Sequence, residues 1–415
     1  MKTNLELNQN FQYNGSEVSQ MIRREHYLRE IRPFFESDLI KIITGIRRSG
    51  KSVILQQITD EIRERSENIL FLNFEDRRIS ANIQDGDALI QYVMSRRKDG
   101  KCYLFFDEIQ VLDGWQEACK TLRLENCSLF ITGSNSKLLS SEFTKELSGR
   151  YVSFRVRPFV YKEIMDYAKE LNKEVSVTDY LIWGGFPKRF ELEGKEAQVR
   201  YLNDLDETIV LHDLVNRYHI RKIGLFKKMV NFLLRSNGRV FSAKSIHDYL
   251  KNGNDSGSVN TIMKYLEYLE DAYVVDSLRQ YSTRAKQELA FFTKIYDADV
   301  AFNSLRCLDE RYDLTHNLEN IVYNELLYMG YSLAVYKNDG KEIDFLAQKA
   351  NKKYFVQVAY SVAEEKTYER EFGAFRNLDN LSPKILITND DIDYSTGSVL
   401  HIQLKDFLLL HDLSL

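Results

Sequence analysis

Short apolar runs alternate with longer amphipathic stretches along the first half of the chain. The runs are rich in β-branched and aromatic residues and cover residues 39–44, 69–74, 102–106 and 128–132. Each is followed by polar or helix-forming sequence, which is typical of buried parallel strands with helices on both faces of the sheet. We therefore predict an α/β domain over residues 21–200. Residues 1–20 have no periodic apolar face, and we predict a flexible arm there.

The pattern changes near residue 201. It predicts a helix over 225–235, a short strand over 239–241, helices over 242–250 and 258–270, and a β-rich run over 272–277. Turn residues at 236–238 and 252–257 separate these elements. A winged helix-turn-helix has its elements in this order. We predict a winged-helix domain over residues 201–285.

The last part of the chain mixes one strong helix pattern with β-rich pieces. The helix is predicted over 318–329, and the β-rich runs lie at 345–347, 354–360 and 384–388. This mixture predicts an α/β or α+β domain over residues 286–415.

Composition and charge narrow the class of protein. The 415 residues include 57 Lys and Arg against 61 Asp and Glu, a net charge of −4, and 44% are hydrophobic. These values are ordinary for a globular protein and weigh against a disordered or membrane chain. The four cysteines have no CxxC spacing, which weighs against a disulfide framework or a zinc site. The polar first twenty residues and the lack of long apolar runs lead us to expect a cytoplasmic protein that uses no membrane.

The strongest local motif follows the first predicted strand. Residues 45–52 read GIRRSGKS, a complete GxxxxGK[ST] pattern between a strand and an amphipathic helix. Such a loop curls so that backbone N–H groups face phosphate oxygens at the positive end of the helix. The lysine then adds a charge at the β- and γ-phosphates, and the serine hydroxyl is a Mg²⁺ ligand. The predicted nucleotide-binding residues are Gly45, Ile46, Arg47, Arg48, Ser49, Gly50, Lys51, Ser52 and Val53.

An acidic pair, Asp107 and Glu108, follows the apolar run at 102–106. We expect Asp107 to hold Mg²⁺ and Glu108 to orient or deprotonate an attacking water. A solvated strand end is the alternative for such a pair taken alone. The phosphate loop about 55 residues upstream weighs against that alternative.

The next apolar run, at 128–132, also ends in small polar residues. Thr132, Ser134 or Asn135 are candidates for sensing the γ-phosphate, and a plain turn with a helix cap is the alternative. Sites of this kind often complete the transition-state charge with an arginine from the same chain or from a neighbour. Arg150, which follows a glycine, is the first candidate, ahead of Arg155 and Arg157. An exposed or structural role is the alternative for all three.

The motifs extend beyond this site and occur together in a known family. They are GIRRSGKS (45–52), LFLNFED (70–76), YLFFDEIQ (103–110), LFITGSNSKLLS (129–140), LSGRY (147–151), RPFVYKEI (157–164), WGGFP (183–187), YDADVAF (296–302), LENIVYNEL (318–326), EIDFLA (342–347) and VQVAY (356–360). In this set the chain resembles AAA-superfamily ATPases of bacteria and archaea that carry a C-terminal domain of unknown function. The resemblance implies ATP binding, catalytic roles for Lys51 and Glu108, and Mg²⁺ ligation by Ser52 and Asp107. Arg150 occupies the family's Gly-Arg motif.

The winged-helix zone stands out by its charge. Residues 221–285 contain 11 Lys and Arg against 6 Asp and Glu, a local net charge of +5. Basic side chains there are candidates for contact with DNA phosphates. They are Arg221, Lys222, Lys227, Lys228, Lys244, Lys251 and Lys264. Because Glu267 and Glu270 share a predicted helix with Lys264, docking of a protein partner is the open alternative.

The terminal domain resembles a restriction-endonuclease-like fold, in which carboxylates and a lysine gather Mg²⁺ for phosphodiester cleavage. The resemblance places an aspartate in one strand, which Asp344 satisfies, and expects Glu-x-Lys in the next. The chain has Gln357 and Ala359 at those two positions. We therefore predict a nuclease-like fold without nuclease activity. For the remaining carboxylates, Glu319, Glu325 and Glu342, we expect positions on a helix surface or roles in stabilising the fold.

These observations lead to one expected function and one alternative. We expect a Mg²⁺-dependent protein that hydrolyses ATP to ADP and phosphate and couples its nucleotide state to the C-terminal domains. The alternative is a nucleotide-gated module that binds DNA or a protein with little turnover. The sequence leaves the oligomeric state open.

Overall fold

The structure is a computed structural model that describes residues 22–135, 149–241, 246, 258–281, 293–307, 309–338, 340–378 and 381–414. The predicted arm at 1–20 and the turn at 252–257 lie outside these residues, as does the helix at 242–250 apart from Ile246. Lys244 and Lys251 of the basic set also fall outside them.

The contacts of the backbone divide the chain into two compact units. Unit 1 consists of Met1–Arg157 and Asp166–Lys173, and unit 2 consists of Pro158–Met165 and Glu174–Leu415. Residues 174–200 therefore belong with the C-terminal half, although the sequence pattern favoured a boundary at 200. The predicted domain boundaries remain predictions.

Unit 1 is built on a five-stranded parallel sheet. The strands are β1 (Ile40–Thr44), β2 (Ile69–Asn73), β3 (Cys102–Asp107), β4 (Cys127–Gly133) and β5 (Tyr151–Arg155), in the order β2-β3-β4-β1-β5. The helices are α1 (Glu25–Ile31), α2 (Lys51–Arg63), α3 (Arg77–Ser80), α4 (Gly86–Arg96) and α5 (Trp115–Leu124), with 3₁₀ turns at Arg32–Phe34 and Ile109–Val111. The predicted parallel α/β sheet is confirmed.

Alternating side chains of the sheet form the core of unit 1. One set, which includes Ile42, Leu104 and Ile131, packs with buried residues of α4 and α5 such as Leu89 and Leu122. Helix α2 packs against β1, β3 and β4. The central strands are buried along their whole length, which explains why they appear in the sequence as unbroken apolar runs.

Unit 2 contains a three-stranded antiparallel sheet and a five-stranded mixed sheet. Strands β6 (Val240–Phe241), β7 (Val275–Arg279) and β8 (Thr293–Asp297) form the first, in the order β6-β8-β7. Strands β9 (Ser332–Asn338), β10 (Lys341–Lys349), β11 (Lys352–Val358), β12 (Lys384–Thr388) and β13 (Leu400–Gln403) form the second, in the order β13-β12-β11-β10-β9. The pairs β9–β10 and β10–β11 are antiparallel, and β11–β12 and β12–β13 are parallel.

The helices of unit 2 precede, separate and follow these strands. Helix α6 (Tyr161–Glu170) has residues in both units. The others are α7 (Val177–Trp183), α8 (Lys195–Asp206), α9 (Leu214–Arg217), α10 (Ile223–Arg235), α11 (Val259–Asp271), α12 (Ala301–Ser304), α13 (Leu314–Tyr328), α14 (Glu365–Ala374) and α15 (Leu404–Phe407), with a 3₁₀ turn at Pro187–Glu191 and a π-helical turn at Glu207–Asp213. No helix among the described residues is long and apolar enough to cross a membrane.

The elements α10, β6, α11, β7 and β8 follow the order of a winged helix, and this assignment remains a prediction. The predicted C-terminal limit of this domain, at residue 285, lies before a strand of the same sheet. Strand β8 pairs with both β6 and β7, although it lies beyond the predicted boundary at 285/286. A winged-helix domain would therefore have to include residues up to Asp297, because an antiparallel hairpin cannot be divided between two domains without losing its ladder.

The motif WGGFP (183–187) packs closely against two other segments of unit 2, which contain Phe159 and Asp299. The N–H of Gly185 donates to Asp299 Oδ2 at 2.7 Å, and its carbonyl accepts from Phe159 N at 2.8 Å. A Cβ on Gly185 would lie 1.9 Å from the Phe159 carbonyl oxygen, and one on Gly184 would lie 1.6 Å from Asp299 Oδ1. Glycine is therefore required at both positions by close approach of backbone and carboxylate.

Gly185→Ala is expected to lower the Tm of unit 2 by about 2–12 °C, because the added methyl group clashes with a backbone oxygen and overpacking costs about 1–3 kcal/mol. Differential scanning calorimetry of the full chain measures this shift. Gly397→Ala is the control, since that glycine is exposed and its Cβ would have no atom within 4 Å. Equal Tm values for the two variants would contradict the tight packing at Gly185.

Candidate functional site

The glycine-rich loop connects the carboxyl end of β1 to the start of α2. Gly45 has φ = 140° and Gly50 has φ = 97°, and both values favour glycine. A Cβ on Gly45 would lie 2.1 Å from the Val156 carbonyl oxygen. The loop is thus held in a curled conformation that places backbone N–H groups at the first turn of α2, where anions are stabilised.

Lys51, the first residue of α2, extends back over this loop. Its side chain is 4% exposed, and Nζ donates to the Ile46 carbonyl at 3.2 Å. Glu108 Oε1 lies 3.9 Å from the same nitrogen. Burial lowers the pKa of Lys51, and a second anion at this position would counteract that effect. The ammonium group is placed to bind a phosphate oxygen held by the loop.

The hydroxyl of Ser52 and the carboxylate of Asp107 meet at the end of β3. Ser52 Oγ donates to Asp107 Oδ1 at 3.1 Å, and Thr132 Oγ1 donates to the same oxygen. Asp107 is 3% exposed, and burial raises its pKa. A hydroxyl and a carboxylate at hydrogen-bonding distance fit Mg²⁺, which takes few protein oxygens and completes its shell with water and phosphate. The residues present therefore suit the metal that the sequence implies.

Glu108 is held by three neighbours rather than exposed at a strand end. Its N–H donates to Thr132 Oγ1 at 3.0 Å, and its Oε2 accepts from Ser134 Oγ at 3.2 Å. The side-chain amide of Gln110 donates to the same oxygen. Glu108 itself has φ = 51°, an uncommon backbone conformation that is found more often at functional sites.

The predicted sensor residues lie where β4 ends, between β1 and β3. Thr132 contacts both members of the acidic pair, and Ser134 contacts Glu108. Asn135 is buried at the same edge, at 3% exposure. Thr132 and Ser134 thus reach the acidic pair directly.

The other predicted loop residues differ in exposure. Ile46 and Ser49 are buried, and Arg48 is exposed with φ = 67°. Arg47 is half-buried, with its guanidinium 3.4 Å from a Glu75 carboxylate oxygen, and Val53 is half-buried in the first turn of α2. Their side chains frame the loop.

Arg150 lies at the opposite edge of the sheet. Its carbonyl accepts from the N–H of Ile40, the first residue of β1, and its side chain is exposed. The phosphate loop follows the other end of β1, about 13 Å away at about 3.3 Å per residue. The structure therefore does not bring Arg150 to the site of its own chain, and its action on a neighbouring copy remains a prediction.

The other two candidate arginines, Arg155 and Arg157, lie near the end of β1 that leads into the phosphate loop. Arg155 pairs in register with Thr44 at the end of β1, and Arg157 follows it. Arg157 is 8% exposed, and its N–H donates to the Tyr27 hydroxyl at 3.1 Å.

A functional residue that sequence reasoning missed is Arg24. It is 1% exposed, with NH1 donating to the Ser49 carbonyl at 2.8 Å and NH2 donating to the Arg157 carbonyl at 3.0 Å. Its guanidinium lies 4.6 Å from the centroid of the Tyr27 ring. Arg24 therefore braces the phosphate loop against the segment after β5. One arginine before a short helix gave no sequence signal for this role.

The backbone beside Arg24 is also attached to α2. Arg24 N donates to Gln57 Oε1 at 3.1 Å, and Gln57 Nε2 donates to the Ile22 carbonyl at 2.7 Å. The segment before α1 is thereby fixed to the helix that carries Lys51 and Ser52.

In unit 2, the predicted nuclease positions lie on neighbouring strands. Asp344 is on β10 and Gln357 on β11, and the N–H of Asp344 donates to Gln357 Oε1 at 3.2 Å. Ala359 follows β11 and is buried among apolar residues. Neither Gln357 nor Ala359 supplies the charge that metal binding or water activation needs.

Glu325 has the contacts of a residue that stabilises the fold. Its Oε1 accepts from Tyr161 N at 2.9 Å and from the Tyr180 hydroxyl at 3.1 Å. Burial raises the pKa of Glu325 to about 8.

Comparison with known proteins agrees with this geometry. Residues 37–165 match the family described as AAA domain. Residues 174–308 and 315–407 match two families described as Domain of unknown function, DUF8612 and DUF4143.

Two relatives align along most of the chain. An uncharacterized protein of Haemophilus influenzae is 37% identical over 379 residues, covering 89% of this chain and 93% of the relative. An uncharacterized protein of Methanocaldococcus jannaschii is 31% identical over 374 residues, covering 85% and 82%.

Solved structures with partial similarity include ATPases and replication proteins. A Walker-type ATPase of Pyrococcus abyssi aligns at a TM-score of 0.48 and 16% identity, covering 69% of this chain and 96% of that one. AMPPCP-bound DnaA of Aquifex aeolicus aligns at 0.35 and 16%, covering 61% and 90%.

One family match covers the P-loop domain, and two relatives more than 30% identical align with most of the chain. The chain therefore belongs to the AAA superfamily of P-loop ATPases, in the same family as these two relatives, with C-terminal domains of unknown function.

Proposed function

We propose that the chain binds ATP with Mg²⁺ and hydrolyses it to ADP and phosphate. One observation carries the proposal: the amide-rich loop, Lys51, the Ser52–Asp107 pair and Glu108 meet at one edge of the sheet. Each group supplies a function that phosphoryl transfer requires, namely phosphate binding, charge neutralisation and orientation of water.

The roles of the protein groups follow from their positions. The loop amides and Lys51 hold the β- and γ-phosphates, and Ser52 and Asp107 would hold Mg²⁺. The metal, when bound, neutralises charge on the phosphates. Glu108 orients a water whose oxygen bonds to the γ-phosphorus while the bond from that phosphorus to the bridging oxygen breaks. The water proton passes to the Glu108 carboxylate, and ADP leaves with the bridging oxygen.

One observation favours the alternative of binding with little turnover. Glu108 Oε2 already accepts hydrogen bonds from Ser134 and Gln110. A carboxylate engaged in this way has less capacity to accept a proton from water. In that case ATP would be held as a signal for the C-terminal domains.

Glu108→Gln and Lys51→Ala separate hydrolysis from binding. Glu108→Gln should keep Mg·ATP binding and lower phosphate release at least about 100-fold, because a general base contributes about 10²–10⁴ in rate. Lys51→Ala should lose detectable binding, because the phosphate charge is then unmatched. Phosphate-release assays and titration calorimetry measure the two effects.

Exposed residues of unit 1 provide matched controls for these variants. Glu117→Gln and Lys98→Ala are expected to behave as wild type, since both side chains are exposed and form surface ion pairs. Phosphate release that Glu108→Gln leaves unchanged, with binding intact, would reject hydrolysis through Glu108 and support the alternative.

Arg24→Lys tests the brace behind the loop. A lysine cannot reach both the Ser49 and Arg157 carbonyls in the way that a planar guanidinium does. Loss of one charge-assisted hydrogen bond costs about 1.5–3 kcal/mol, so the affinity for Mg·ATP should fall about tenfold or more. Calorimetric titration with Mg·ATP gives this affinity.

Arg23→Lys is the control for the brace, because Arg23 is the exposed neighbour that pairs with Glu25 and Glu61. A variant Arg24→Lys that loses Tm while keeping wild-type affinity would show a structural role only.

We propose further that the region from α10 to β8 contacts DNA. Arg221, Lys222, Lys227 and Lys228 are exposed before and along the first turns of α10. On α11, Lys264 is exposed beside Glu267, so the positive charge is concentrated around α10. Such a patch suits phosphate contacts that depend on salt concentration.

Lys227→Glu/Lys228→Glu should weaken binding to a 30-base-pair duplex about tenfold or more and reduce its salt dependence, because two phosphate contacts are lost. Fluorescence anisotropy between about 50 and 200 mM KCl measures both. The control Lys366→Glu/Lys405→Glu changes two exposed lysines elsewhere in unit 2. Absence of duplex binding by the wild type, with and without ATP, would reject DNA as the partner and leave a protein.

A further inference from the structure

A buried lysine of unit 2 is surrounded by three carboxylates. Lys294 Nζ lies 2.8 Å from Glu319 Oε1, 2.7 Å from Glu342 Oε1 and 2.9 Å from Asp344 Oδ1. Its side chain is 5% exposed. The three carboxylates approach the nitrogen from two other elements, since Glu319 is on α13 and the other two are on β10.

The three carboxylates of this cluster are stable when buried only if Lys294 carries its positive charge. Burying carboxylates without a counter-ion is strongly unfavourable, and three of them near one point also repel one another. Burial favours the neutral amine of Lys294, yet the three carboxylates raise its pKa well above the usual range. The lysine therefore remains charged and supplies the positive charge that the carboxylates need.

The same carboxylates lie where the nuclease-like resemblance would place a metal. Asp344 is the aspartate of that pattern, and its Oδ1 is bound to Lys294 while its Oδ2 accepts from Val358 N at 3.0 Å. With Lys294 in place, these carboxylates belong to no group of three or more His, Cys, Asp or Glu side chains, among the described residues, that could hold a metal ion. The residues present thus do not fit Mg²⁺.

Side chains around the cluster form hydrogen bonds with carboxylate oxygens in it and beside it. The Tyr296 hydroxyl donates to Glu319 Oε1 at 2.6 Å, which satisfies a lone pair that a metal would otherwise use. Gln357 Nε2 donates to Glu371 Oε2 at 2.7 Å, and Arg370 pairs with the other oxygen of Glu371. Gln357 is therefore turned toward Glu371 and the Asp344 backbone rather than offered as a free ligand.

We propose that Lys294 is a built-in cation that fills the carboxylate site of the nuclease-like domain. It replaces a divalent metal ion and joins β8 to α13 and β10. The domain is consequently independent of metal, and removal of the lysine charge exposes a site of three carboxylates that binds a divalent cation. The inference does not depend on ATP hydrolysis, since its residues belong to unit 2.

The test measures the binding of Mn²⁺ to the full chain without nucleotide. All variants carry Asp107→Asn, which removes the carboxylate ligand of the proposed metal site in unit 1. The parent should bind no Mn²⁺ by electron paramagnetic resonance, and 1 mM MnCl₂ should leave its Tm unchanged. Lys294→Met should lower the Tm by about 5 °C or more, bind one Mn²⁺ per chain, and regain most of the lost Tm when Mn²⁺ is added, because a ligand that binds only the folded state stabilises it.

Lys349→Met is the matched control. Lys349 is on β10, like Glu342 and Asp344, but its Nζ donates to the Met329 carbonyl and forms no ion pair with a carboxylate of the described residues. This variant should bind no Mn²⁺.

If Lys294→Met does not fold, Lys294→Met/Glu319→Gln provides the same readout with one fewer uncompensated charge and two carboxylates left for the metal. Binding of Mn²⁺ at unit 2 of the parent would overturn the proposal, as would the lack of Mn²⁺ binding by both Lys294 variants. DNA cleavage by the wild type with Mn²⁺ that Asp344→Ala abolishes would overturn it as well.

Discussion

The parallel direction of β1, β3 and β4 decides where chemistry can take place in unit 1. All three strands end at the same edge, so the loop after β1, the acidic pair of β3 and the polar end of β4 are brought together although they are far apart in sequence. Because β4 lies between β1 and β3, the Thr132 hydroxyl contacts both residues of the pair: it donates to the Asp107 carboxylate and accepts from the backbone N–H of Glu108. Because β5 runs parallel to β1, Arg150 lies at the amino ends of the strands, away from the phosphate loop, and Arg155 lies at the carboxyl ends, beside the loop.

A buried positive charge must be compensated, and the buried side chains of Lys51, Arg24 and Lys294 meet this requirement with different partners. Lys51 Nζ donates to the Ile46 carbonyl and lies 3.9 Å from a Glu108 carboxylate oxygen, and this arrangement suits the binding of an anion. The Arg24 guanidinium donates hydrogen bonds to two backbone carbonyls and so fixes the shape of the loop. Lys294 is matched by three carboxylates and fastens three elements of unit 2. A buried charge must be compensated, and the identity of the compensating group separates a binding site from a structural one.

Much of unit 1 was predictable, because the apolar runs and the loop motif are local in sequence. In unit 2 the prediction was partial. Strands β10, β11 and β12 coincide with predicted β-rich runs, whereas β9 and β13 were missed. The boundary between the last two predicted domains fell before β8, whose pairing with β6 and β7 involves residues up to 54 positions away (Val240 with Lys294). Pairing of that range leaves no periodic pattern that a single sequence can reveal.

The sequence by itself determined the chemistry available at the loop: its glycines, Lys51, Ser52 and the Asp107–Glu108 pair belong to short motifs whose function follows from residue type and spacing. It also determined that Gln357 and Ala359 lack the charges a nuclease needs. Only the tertiary structure decided which charges meet across the fold, such as Arg24 with the loop and Lys294 with Glu319, Glu342 and Asp344. The reason is that the compensation of a buried charge depends on distances between residues that are remote in sequence, and these distances are set by packing.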